Sequence, residues 1–110
     1  MKLVIIESPY NANTPAGIHN NILYARLCIR HSLSLEEAPI ASHLLYTQSK
    51  ILRDKVPEER IWGMNAGHAW LRVADLVAVY TDRGISNGMD RGITKAEEAH
   101  IVVEYRTLPR

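Results

Sequence analysis

A single cysteine, Cys28, stands among the 110 residues, so an intramolecular disulfide is excluded and a reducing, cytoplasmic setting fits. Cys28 lies inside an apolar helical pattern and reads as core filler. No stretch approaches the roughly 18 apolar residues that a membrane-crossing helix requires. Nor does a basic segment with a long apolar run open the chain, so neither secretion nor membrane association is expected. Charge is nearly balanced, with 13 Lys and Arg against 12 Asp and Glu for a formal net charge of +1. Displacing counterions from a duplex takes many cations on one face, so the expected partner is a small molecule rather than a nucleic-acid polymer. His19, His31, His43, His68 and His100 include no i,i+4 pair beside a carboxylate and have no cysteine partner, which argues against a zinc site. No other cofactor is expected. With no internal repeat, linker or low-complexity tract, residues 1–110 read as one domain with one core.

What is present is an ordinary globular composition, 46% hydrophobic and 23% charged, arranged as alternating strand and helix patterns. Lys2-Leu3-Val4-Ile5-Ile6 is nearly all branched aliphatic, the signature of a strand covered on both faces. After a polar loop through Pro15, the residues Ile18, Ile22, Leu23, Ala25, Ile29 and Leu33 recur at helical spacing, which predicts a helix ending near Ser34. Ala38-Pro39-Ile40-Ala41 suits a short edge strand, because proline lacks a ladder donor. Pro57-Glu58-Glu59-Arg60 starts a helix expected to run to about Ala74, Asp75 to Tyr80 reads as another buried strand, and Ser86 caps a helix reaching Ala99. Ile101 to Tyr105 closes the domain. With right-handed crossovers this order predicts an α/β domain of Rossmann-like or flavodoxin-like type, a parallel sheet of four to five strands ordered 2-1-3-4 with helices on both faces. Val4, Ile6, Val77, Val79 and Val102 are expected to be buried.

Two loops follow apolar runs and precede helices: Glu7-Ser8-Pro9-Tyr10 and Gly84-Ile85-Ser86-Asn87-Gly88-Met89. Both fall at the carboxyl ends of strands, where ligands collect and helix N-termini present unpaired N–H groups to anions. Ser86, flanked by Gly84 and Gly88, fits either a phosphate-binding turn or a plain helix cap. Ser8 and Pro9 fit either a ligand turn or a simple turn start, and Tyr10 can stack on a base. Ser42 and His43 end the second strand and are candidates to touch a ligand. His68 sits on a mixed helix face, Glu58-Glu59 and Glu97-Glu98 read as solvated helix charges, and Trp62 and Trp70 read as core or dimer contacts.

Taken together, Ser8-Pro9-Tyr10, Asn21 through Arg26, Ala41-Ser42-His43, Ala69-Trp70-Leu71 before Ala74-Asp75, Ser86-x-Gly88-Met89 and Ala96 resemble the nucleoside 2-deoxyribosyltransferase-like superfamily. That group includes deoxyribosyltransferases, deoxynucleoside monophosphate N-glycosidases and small, often phage-encoded relatives. The resemblance implies nucleotide binding and, in the enzymes, cleavage of a glycosidic bond. They use a glutamate nucleophile on the helix after the last phosphate loop and an aspartate before the Ala-Trp-Leu stretch. Counted back from Ala96, the nucleophile position falls on Gly92, or on Arg91 with a shorter loop. Counted back from Trp70, the aspartate falls on Gly67. Neither glycine carries chemistry, and Asp82 and Asp90 are the nearby acids left to substitute.

Three functions follow from the resemblance. The leading one is a nucleotide-binding protein without the usual catalytic carboxylates, in a specific form a phage-type sponge sequestering a nucleotide or ADP-ribose-like signal in the host cytoplasm. The second is an active N-glycosidase or deoxyribosyltransferase using Asp82, Asp90 or a partner subunit's acid. The third is an oligomeric structural domain with a vestigial pocket. The resemblance also implies a homodimer or higher homo-oligomer.

Overall fold

Side-chain parity along two central strands organises this molecule. The computed structural model describes residues 1–109. In order along the chain, β1 (Leu3–Glu7) leads into α1 (Pro15–Ser34), then β2 (Ala38–Ile40) and α2 (Ser42–Leu45). The chain continues through α3 (Pro57–Ala69), a 3-10 turn (Trp70–Arg72), β3 (Leu76–Tyr80), α4 (Asn87–Glu98) and β4 (Val102–Arg106). The four strands form one parallel sheet ordered β2-β1-β3-β4. Among the described residues no helix is long and apolar enough to cross a membrane.

Alternate residues of a strand point to opposite faces, and the core divides accordingly. Val4, Ile6, Leu76, Ala78 and Tyr80 pack with Tyr24 and Cys28 of α1. Ile5, Val77 and Val79 pack on the other face with Leu71 and with Met89, Ile93 and Ala96 of α4. Glu7 lies two residues beyond Ile5 and pairs in register with Val79, so its parity sends it to the face that α4 covers.

The face of α1 that meets the sheet is Asn21, Tyr24, Ala25, Cys28 and Ser32, whereas Leu23 and Leu33 are exposed. Small and hydrogen-bonding residues fill this contact and the leucines expected there face outward. The helix begins at Thr14, whose side chain accepts the Gly17 N–H at 3.0 Å, with Pro15 in its first turn. Asn21 Nδ2 donates to the carbonyls of Tyr10 and Asn11, at 3.0 and 3.3 Å, and so holds the loop after β1 against α1.

Three expectations are corrected. Val102 is 64% exposed, because β4 is an edge strand and its neighbour Val103 is the residue that packs against the core. The second long helix, α3, stops at Ala69 rather than near Ala74, because a 3-10 turn over Trp70–Arg72 tightens the chain and directs Leu71 into the core. Trp62 and Trp70 are surface residues, 67% and 44% exposed, with Trp70 Nε1 donating to the Tyr46 hydroxyl at 3.2 Å. They are not core.

A buried ion pair crosses beneath the sheet. Arg106, at the end of β4, donates to Glu37 Oε1 at 2.8 Å and Oε2 at 2.7 Å, joining one outer strand to the residue that precedes the other. Ser32 Oγ donates to Glu37 Oε1 at 2.7 Å, and the Tyr80 hydroxyl joins Arg106 to His31 Nδ1. The Arg106 guanidinium holds the Glu37 carboxyl below its usual range despite burial.

Candidate ligand-binding cleft

A cavity of about 370 Å³ opens at the carboxyl end of β1, within the size range of small-ligand sites. Its floor is Ile5 and Glu7, one wall is α2 with the residues that follow it, a second is α3, and the first two turns of α4 close the third. Ser8, Tyr10, Ser42 and His43 line it, as do Ser86, Asn87, Gly88 and Met89. The two loops that sequence analysis selected therefore meet in one cleft. Pro9 and Gly84 do not line it.

Ser86 is the N-cap of α4. Its hydroxyl accepts the Met89 N–H at 3.3 Å, while its own N–H donates to Met89 Sδ at 3.4 Å. The hydroxyl proton stays available to a ligand, and the N–H groups of Asn87 and Gly88 precede the first intrahelical bonds. A Cβ added at Gly88 would meet nothing closer than Ser86 Oγ at 4.0 Å. Backbone at this turn is therefore approachable. Here the cap and the cleft wall are the same residue.

Ser8 and His43 are joined at 2.7 Å between Oγ and Nε2. Burial pulls the His43 imidazole down to about 4, so at neutral pH the ring is uncharged and one member of the pair donates to the other. Burial lowers His68 as well, with Lys95 and Arg91 adding repulsion.

Glu7 opens one of the two selected loops but was not itself among the expected ligand-binding residues. Burial pushes its carboxyl up to about 8, and no hydrogen bond or opposite charge offsets that cost. The carboxyl packs directly on α4 at Gly92, where a Cβ would collide with Oε2 and lie 2.7 Å from Cδ. Gly67 has the same relation to Ser42, whose Cβ would be 3.1 Å from a Cβ at 67. Both positions where the resemblance puts an acid are thus glycines whose side-chain space is filled from another element. Strand parity was the signal that could have found Glu7.

The cleft also includes His68, placed on a mixed helix face, and residues from the stretch after α2 and from α3 that sequence analysis left aside, among them Tyr46, Thr47, Asp54 and Gly63. Glu59, read as a solvated charge, lines the cleft and pairs with Arg53 at 2.7 Å, an ion pair that keeps its carboxyl below the ordinary range. Asp82 lies elsewhere: its carboxylate accepts the Tyr24 hydroxyl at 2.6 Å and the Leu108 N–H at 3.1 Å. Asp90 faces a separate groove between α3 and α4 with Asn65, Thr94 and Lys95. Among the described residues no group of three or more His, Cys, Asp or Glu side chains could hold a metal ion.

Residues 2–106 match the family described as domain of unknown function DUF7768. The chain belongs to that family. The match covers every strand and helix of the DUF7768 domain, including the whole cleft. No curated protein matches the chain.

Proposed function

We propose that this DUF7768 domain binds a nucleoside phosphate in the cleft, with the phosphate at the first turn of α4 and the sugar and base between α2 and α3. One observation carries the reading: the capped N-terminus of α4 and the end of β1 open into the same cavity, joining an anion-receptive turn to a chamber large enough for a heterocycle. Tyr10 on the lining offers an aromatic face to the base. Held without turnover, such a ligand is sequestered, which is the sponge form of the proposal.

The test is a thermal-shift screen of nucleosides, nucleoside mono- and diphosphates and ADP-ribose derivatives. At a hundred-fold excess over Kd a ligand adds about 2.7 kcal/mol, which raises the midpoint of a domain this size by about 10 °C. Ser86→Asp keeps an acceptable cap and puts a negative charge beside the phosphate. It should fold normally and lose the response to phosphorylated compounds. A flat screen, or an unchanged response in Ser86→Asp, would reject the reading.

Contact between Glu7 and Gly92 favours a second reading, hydrolysis of the N-glycosidic bond. A carboxyl that keeps its proton at neutral pH can protonate a departing base as the carbon–nitrogen bond breaks. Water then adds hydroxide to the anomeric carbon and returns a proton to Glu7. In this reading the acid at the cleft floor comes from β1 rather than from α4. Chromatography of wild type incubated with deoxynucleoside monophosphates should show free base, and Glu7→Gln should show none. Intact nucleotide throughout would leave binding alone.

A further inference from the structure

The half-buried Glu7 lines the cleft with its carboxyl against α4 at Gly92, and among the described residues no hydrogen bond or ion pair reaches that carboxyl. Several elements around the cleft bring titratable groups toward it. From α2 and its flank come His43, engaged with Ser8 and neutral, and Tyr46. The stretch before α3 gives Asp54. From α3 come Glu59, Arg60 and His68, and Glu59 is already paired with Arg53. The loop after β1 gives Tyr10, and the α4 lining has no titratable side chain. Arg60 is the one full cation on the lining, and it shares the cleft with Asp54 and Glu59 as well as Glu7. Hence, among the described residues, the cleft supplies no partner for an ionised Glu7.

We infer that Glu7 meets the ligand as an uncharged acid that donates a hydrogen bond, so the cleft selects molecules anionic at the α4 end and uncharged at the end resting on Glu7. A neutral carboxyl offers one O–H donor beside an acceptor oxygen. That pattern complements the adjacent acceptor and donor of an amide-like or amidine-like heterocycle edge, and it rejects a second anionic group by desolvating it against an acid that must stay neutral. The inference rests on the nucleoside-phosphate reading and adds the ligand's polarity and its orientation to it.

Calorimetric titration with AMP, CMP, dAMP and dCMP between pH 7 and pH 9.5 tests it, a range in which neither base titrates and the phosphate is already about nine-tenths doubly charged or more. With the free carboxyl at about 8, wild-type affinity should be about tenfold weaker at pH 9 than at pH 7. In Glu7→Gln, whose amide donates at every pH, the fall should vanish. Wild-type affinity that stays level to pH 9, or a fall that survives in Glu7→Gln, overturns the inference and leaves nucleotide binding intact. Absence of binding by all four nucleotides at every pH overturns the nucleoside-phosphate reading, and this inference with it.

Discussion

Glu7→Gln should be more stable than wild type by about 3 kcal/mol at pH 7, a rise in melting midpoint of about 12 °C. The sign follows from where the protons are. Glu7 keeps its proton in the folded state up to about 8, against 4.5 for an ordinary glutamate. Between those limits the folded state holds more protons than the unfolded state, so stability falls as pH rises through the window. Glutamine removes the penalty and keeps the shape against Gly92. The advantage should shrink toward zero near pH 4.5 and widen to about 4 kcal/mol at pH 8. Chemical denaturation of both proteins at several pH values measures it. Equal stabilities from pH 5 to pH 8 would show a solvated carboxyl and undo the account of the cleft floor.

The second large effect lies on the opposite face. Arg106→Met should destabilise the domain by about 3–5 kcal/mol, because it strands Glu37 as an unpaired buried charge. That corresponds to a midpoint lowered by about 12–20 °C. Replacing both partners, Arg106→Met with Glu37→Met, should recover most of the loss, since apolar packing often matches a buried ion pair. The pH dependence runs opposite to that of Glu7. Glu37 is held below 4.5 by Arg106, so the pair's contribution is complete above that value and is lost as pH falls through the depressed range. Urea denaturation at pH 7 and pH 3 separates the two carboxylates. A double variant as unstable as the single one would mean that the pair, not the stranded charge, carries the energy.

Strand order, helix starts and the meeting of two loops in one cleft were legible in the sequence because local rules dictate them. Aliphatic runs such as Val4 to Ile6 and Leu76 to Tyr80 have the composition of buried parallel strands, and Pro15, Pro57 and Ser86 mark helix starts. Burial on the outer strand was not legible. Val102 and Val103 are chemically identical, and only the register of an edge strand decides which one faces the core. The exposed tryptophans show the same limit, since spacing on a helix does not say whether another element arrives to cover it. The site's acids were misjudged for a related reason. Asp82 and Asp90 are near the right loop in sequence, but one is spent on Tyr24 and Leu108 and the other faces a different groove. Glu7 comes from the far end of the chain, and only the fold brings it to α4. The Arg106–Glu37 pair, 69 residues apart, is equally invisible to local pattern.

Positions 7 and 92 share a single volume, and that constrains how chains of this architecture can diverge. A side chain at 92 would push the Glu7 carboxyl, the free end of a flexible side chain, off α4 and into the cleft. What stands at 92 therefore sets where the carboxyl of residue 7 rests. Tolerance at 92 should accordingly depend on the residue at 7: alanine at 92 is disfavoured beside glutamate and accepted beside glycine. A glycine in α4 thus fixes the position of an acid that the first strand supplies.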